Sequence, residues 1–77
     1  MKEMIRRLAR VGDRITYGTG NASRTGTVIR RQGEYLRVKL DEPRELNDWE
    51  KMYPQYNDPM EDNVYLHGSY TILEATV

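Results

Sequence analysis

Cysteine is absent from this chain of 77 residues, and histidine occurs once, as His67. Without cysteine there is neither a disulfide framework nor a thiolate metal site, and a lone histidine leaves the usual zinc ligand sets unfilled. Long apolar runs are missing too. Nothing approaches the roughly 20 residues that cross a bilayer, and the opening MKEMIRRLARVG lacks the unbroken apolar region of a signal peptide. These absences predict a soluble, cytoplasmic protein with no membrane partner. In that setting the Asn21-Ala22-Ser23 sequon, which carries a glycan only on a secretory route, reads as a turn.

A single domain over residues 1–77 buries only about 60% of the surface its unfolded chain exposes, too little for a deep catalytic cavity. Nucleophilic catalysis needs a base within hydrogen-bond reach, and His67, followed by Gly68, belongs to a solvent-exposed turn. Asp58, Glu61 and Asp62 are carboxylates in a polar, proline-flanked stretch, where a solvated loop is the ordinary outcome. NDPMEDN lacks the spacing and the glycine of a calcium loop, and YGTGNASRTG lacks the Lys-Ser/Thr that follows a phosphate cradle. The expectation is a non-enzymatic protein with no metal, nucleotide or other cofactor.

What the chain has instead is charge, sorted by position. Residues 1–39 carry ten cations against three carboxylates, +7, and residues 40–77 carry two cations against nine carboxylates, −7, within a formal net charge of zero. Such asymmetry implies a basic face for an anionic partner and an acidic segment with its own role, or else halves that neutralise one another inside the fold. A homo-oligomer that pairs the basic half of one copy with the acidic half of the next follows from the same numbers.

Residues 2–10 place Met4, Ile5, Leu8 and Ala9 at helical spacing before Gly12, which predicts a short N-terminal helix; a strand from Met4 to Tyr17 is the competing reading. From Val11 the period becomes two, with Val11, Ile15 and Tyr17 inward and Arg14 and Thr16 outward. Gly18, Gly20 and Gly26 then mark a loop, and two strands, 26–31 and 35–41, flank the connection Gln32-Gly33-Glu34, with Gly33 in a left-handed position beside a bulge. Residues 42–63 hold all three prolines and most of the acids without a sustained strand pattern, though ELNDWEKM fits one or two helical turns. Two short strands, NVYLHG and YTILEAT, close the chain.

This order suits a mainly β fold, a small five-stranded barrel closed or half-closed around one core. The stretches VGDRITY, GTVIRRQGEYLRVKLDEP and VYLHGSYTILE resemble the pattern of SH3-like small barrels, KOW-type modules among them, in which a "GD" strand precedes a "G-x-V" strand, a tight turn and a "V-x-L" strand. The resemblance covers roughly residues 11–74 and implies a binding module, with the excursion 42–63 departing from the compact KOW unit.

Two surfaces are candidates. If Leu36, Val38 and Leu40 face the core, Tyr35, Arg37 and Lys39 point outward together, beside Arg31 and Arg14 of neighbouring strands and with Arg24 in the preceding loop. Arginine and lysine neutralise phosphates and tyrosine stacks on bases, so this comb points to nucleic acid or a nucleoprotein. The competing reading has the acidic excursion fold over the comb and supply the anions internally. The second surface is the excursion, where Trp49, Tyr53 and Tyr56 stand among acids as anchors for a protein partner, the mark of a small regulator or inhibitor. For Trp49 the packing alternative, a plug at one barrel end with Leu46 and Met52, is preferred; for Tyr53 and Tyr56 both readings stand.

Overall fold

Alternation decides the sheet. In Tyr35–Leu40 the even-numbered side chains Leu36, Val38 and Leu40 are buried and the odd-numbered ones face out, because a strand half-covered by a core must sort its residues by period two. The computed structural model describes residues 7–74, and within them the chain is mainly β. Five antiparallel strands, β1 (Arg14–Tyr17), β2 (Arg24–Gln32), β3 (Tyr35–Leu40), β4 (Glu61–Tyr65) and β5 (Tyr70–Glu74), form one sheet in the order β4-β3-β2-β1-β5. One short helix, α1 (Asp48–Met52), lies in the excursion between β3 and β4.

The core is aliphatic and gathers on one face: Ile15 of β1, Val28 of β2, Leu36, Val38 and Leu40 of β3, Val64 of β4 and Ile72 of β5, with Ala9 and Leu66 from flanking segments. No ladder joins β4 to β5 among the described residues, so the sheet is not closed by backbone pairing. It is bridged by side chains instead. Tyr17 Oη donates to Asp62 Oδ2 at 2.8 Å, from β1 to β4. Those strands stand three positions apart, about 14 Å in a flat sheet, so the contact requires a strong curl around the core.

Several expectations are corrected. Residues 7–10 run into β1 as irregular chain, so the expected helix does not extend over them, and the competing strand starts only at Arg14; residues 2–6 of that expectation lie outside the described residues. Val11 is exposed in a turn before β1 rather than inward. β2 begins at Arg24, two residues before the expected strand 26–31, so Arg24 and Thr25 pair with β1 rather than lie in the loop; at Gly26 the neighbouring strand passes so close that a Cβ would meet the Lys39 carbonyl oxygen. The hairpin connection is two residues, Gly33-Glu34, with a positive φ at Gly33 alone, as a type II′ turn requires.

The bulge falls between Val28 and Arg30, well away from Gly33. β4 begins at Glu61, inside the stretch expected to have no strand pattern. Glu, Asp and Asn are poor strand formers, but Glu61 sits opposite Lys39 and Asn63 opposite Arg37, and cross-strand pairs outweigh propensity there.

Candidate functional site

The outer face of β2, β3 and β4 is set by register. Tyr35 lies opposite Gln32 and Tyr65, Arg37 opposite Arg30 and Asn63, and Lys39 opposite Thr27 and Glu61. The bulge at Ile29 shifts the alternation of β2, so that Arg30 rather than Arg31 stands beside Arg37. Arg31 falls opposite Leu36, where its Nε donates to the Gly33 carbonyl at 2.9 Å. Arg30 is therefore the outer-face cation that alternation alone misses, since nothing in Thr27-Val28-Ile29-Arg30-Arg31 marks which residue leaves the ladder.

Three of the six residues expected to meet nucleic acid are answered inside the fold. Arg14 grips Asp41 with both guanidinium nitrogens, Nη1 at 3.0 Å from Oδ1, and this hydrogen bond holds the Asp41 carboxyl below the usual carboxylate range. Arg24 approaches Asp62 at 3.3 Å, and Arg37 Nε donates to Glu61 Oε1 at 2.8 Å while its Nη1 donates to Asn63. Asp62 also holds the Tyr17 phenol, whose pKa is pushed well above its ordinary value, first by burial and then by that hydrogen bond. The neutralising acids stand at the two ends of the excursion.

The remainder of the comb is unanswered. Among the described residues Arg30, Arg31 and Lys39 make no ion pair and are exposed. Beside them Tyr35 and Tyr65, 51% and 44% exposed, meet edge to face with ring centroids 5.6 Å apart. Tyr65 also packs against the His67 ring, and Glu34 lies 3.8 Å from His67 Nε2 and 3.3 Å from the Tyr65 hydroxyl. This end of the hairpin is an aromatic step flanked by uncompensated cations.

The excursion is a different surface. Asn47 caps α1 by accepting from Glu50 N while Glu50 Oε1 accepts from Asn47 N, a reciprocal capping box. Arg44 anchors it to the sheet, Nη1 donating to Glu50 Oε2 at 2.9 Å and Nε to the Glu61 carbonyl at 2.9 Å. Those contacts draw the Glu50 carboxyl below its ordinary value, the Arg44 hydrogen bond first and the Asn47 amide second.

Trp49 does not plug the core. It is 64% exposed, stacked at a tilt on Tyr53 with centroids 5.2 Å apart, and Met52 and Tyr56 are more exposed still; α1 buries no residue. A helix of five residues is too short to bring a buried stripe to a core already filled by aliphatic side chains, so its aromatics remain outside. Glu42, Glu45, Asp48 and Asp58 around them make no ion pair among the described residues.

Comparison with protein-family models, curated proteins and solved structures returns no match to this chain. The functional reading therefore stands on the surfaces themselves. No group of three or more potential metal ligands gathers among the described residues, and no helix there is long and apolar enough to cross a membrane. An open groove of about 760 Å³ runs between Ser23-Arg24-Thr25 and Asp41–Glu45, with arginines and carboxylates on its walls.

Proposed function

We propose that this chain is a small non-enzymatic binding module, an SH3-like half-closed barrel, that takes single-stranded nucleic acid, free or within a nucleoprotein, on the outer face of its β2-β3-β4 ladder. One observation carries the reading. Arg30 and Arg37 are directly opposed in register, only Arg37 is answered by a carboxylate, and the exposed Tyr35–Tyr65 step lies next to them. Like charges opposed across strands cost stability, and a phosphate placed over Arg30 relieves that cost. An aromatic step at the same level offers a base a stacking surface, which favours single strands over duplex. The Tyr17–Asp62 bridge between β1 and β4 supports the barrel part of the reading.

The test is a fluorescence titration with labelled single-stranded RNA, single-stranded DNA and duplex DNA at low and physiological salt. With Arg30 and Lys39 as the outer-face phosphate contacts, log affinity for a single strand should fall against log salt with a slope of about −1.4. Arg30→Glu with Lys39→Glu should remove binding, and Tyr35→Ala with Tyr65→Ala should lower single-strand affinity about tenfold, by loss of stacking. Undetectable affinity at low salt for all three ligands sinks the reading.

A second reading is favoured by the exposed Trp49–Tyr53 pair on the anchored excursion: a protein-interaction module that acts through residues 42–63. Large exposed apolar clusters rimmed by charge mark protein contacts.

A further inference from the structure

Two uncompensated surfaces of opposite sign share this chain, and they stand apart. The excursion leaves the sheet after Leu40 and returns at Glu61, whereas the Gly33-Glu34 turn with Tyr35 and Tyr65 is at the other end of β3, and Arg31, opposite Leu36, and Arg30, opposite Arg37, follow it along the strand. The length of β3 separates turn and excursion by about 17 Å along the strand, in a molecule 45 Å along its longest axis. Among the described residues no hydrogen bond, ion pair or ring contact joins residues 45–56 of the excursion to Arg30, Arg31, Tyr35 or Tyr65. Each surface combines exposed aromatic rings with exposed charge: Asp48, Trp49, Tyr53 and Tyr56 on one, Arg30, Arg31, Tyr35 and Tyr65 on the other.

We propose that the partner of the excursion is a second copy of this chain, seated through the arginine-bearing hairpin end. It rests on the reading of the excursion as a protein-contact surface. Trp49 and Tyr53 offer ring faces to the guanidinium groups of Arg30 and Arg31, and Glu45 and Asp48 offer carboxylates to the same cations, so each charge left unanswered within one chain is answered by the other. Two copies laid antiparallel make the contact twice and close a two-fold dimer. The hairpin end is also the face assigned above to nucleic acid, so dimer and nucleic-acid complex exclude one another.

Sedimentation of the full chain across concentration and salt, without nucleic acid, is the first test. The expected result is a mass that doubles with concentration at low salt and returns to the monomer at high salt, accompanied by a shift in the emission of Trp49, the one tryptophan of the sequence. Trp49→Ala should weaken the dimer at least tenfold. Arg30→Glu with Arg31→Glu, and separately Glu45→Lys with Asp48→Lys, should each give a monomer, while an equimolar mixture of the two variants regains the dimer mass. All four positions are exposed, so the variants should keep the parent's far-ultraviolet circular dichroism and fold as monomers.

A wild-type monomer at every concentration and salt overturns the proposal, as does a dimer that both charge reversals leave unchanged. An arginine-rich peptide that shifts Trp49 emission while the chain stays monomeric also overturns it, yet leaves the excursion a protein-contact surface. No response of Trp49 to the peptide or to self-association removes both.

Discussion

Asp13 has no exposed surface, and it is the buried charge among the described residues. Arg7 donates to its two oxygens at 2.8 and 3.1 Å, and the Arg10 amide donates to Oδ2 at 2.8 Å, so one carboxylate ties the irregular entry segment to the start of β1. Removing one partner of a buried pair strands the other and leaves the Arg10 amide without its acceptor. Asp13→Ala should therefore cost about 3 kcal/mol, read as a lower urea midpoint with an unchanged slope. Gly26 is constrained by space rather than by φ. A Cβ there would stand 2.4 Å from the Lys39 carbonyl oxygen and 2.7 Å from Val38 Cγ1, and the backbone atom cannot swing aside. Gly26→Ala should force β2 from β3 and cost about 2–3 kcal/mol, in the range of an overpacked core; a melt unchanged from the parent would refute the close approach.

At the level of elements, α1 buries no residue and is tied to the sheet through Arg44, which makes it a local opening unit. Asn47→Ala removes the cap, about 1 kcal/mol, so amide exchange over residues 48–53 should quicken about fivefold while the strands keep their protection. Exchange that quickened equally in β3 would show that the excursion and the sheet open together.

The strands were legible in the sequence for the same reason that α1 was only half so. In Tyr35–Leu40 period two is unambiguous, and burial of Leu36, Val38 and Leu40 follows from it. Leu46, Trp49 and Met52 are spaced for a helix, but spacing does not say whether a core has room for them, and a core filled by nine aliphatic side chains left none. The bulge at Ile29 was illegible because a run of five strand-compatible residues permits the extra residue at several positions, and with it went the identity of the outward arginine. Glu61–Asn63 looked like loop because their pairing partners, Lys39 to Arg37, lie more than twenty residues earlier in the sequence.

At the scale of the whole molecule, the opposed halves neutralise each other in part. Asp41, Glu61 and Asp62 answer Arg14, Arg37 and Arg24, while the middle of the excursion and the hairpin end keep their charge. The internal part of this division has a pH signature. Asp41 and Glu50 both titrate below their ordinary values, drawn down first by hydrogen bonds from Arg14 and Arg44. A carboxyl with a lowered folded pKa binds fewer protons folded than unfolded, so its stabilisation is complete above the ordinary carboxylate range and is lost as pH falls through the lowered value. The melting temperature should be flat from neutrality to about pH 5 and fall from about pH 4 downward. The Arg14–Asp41 pair lies at the surface and the Arg44–Glu50 pair is part-buried, so 0.5 M salt should shrink mainly the Asp41 share of the fall. Arg14→Gln should lower the neutral-pH midpoint and flatten the acid slope, because Asp41 then titrates at nearly the same pH folded and unfolded. A slope unaltered by that substitution would place the acid sensitivity elsewhere than in the Arg14–Asp41 pair. Charge that persists at neutral pH on the hairpin end and on the excursion has no such internal titration partner, and its influence should instead be read in salt-dependent association.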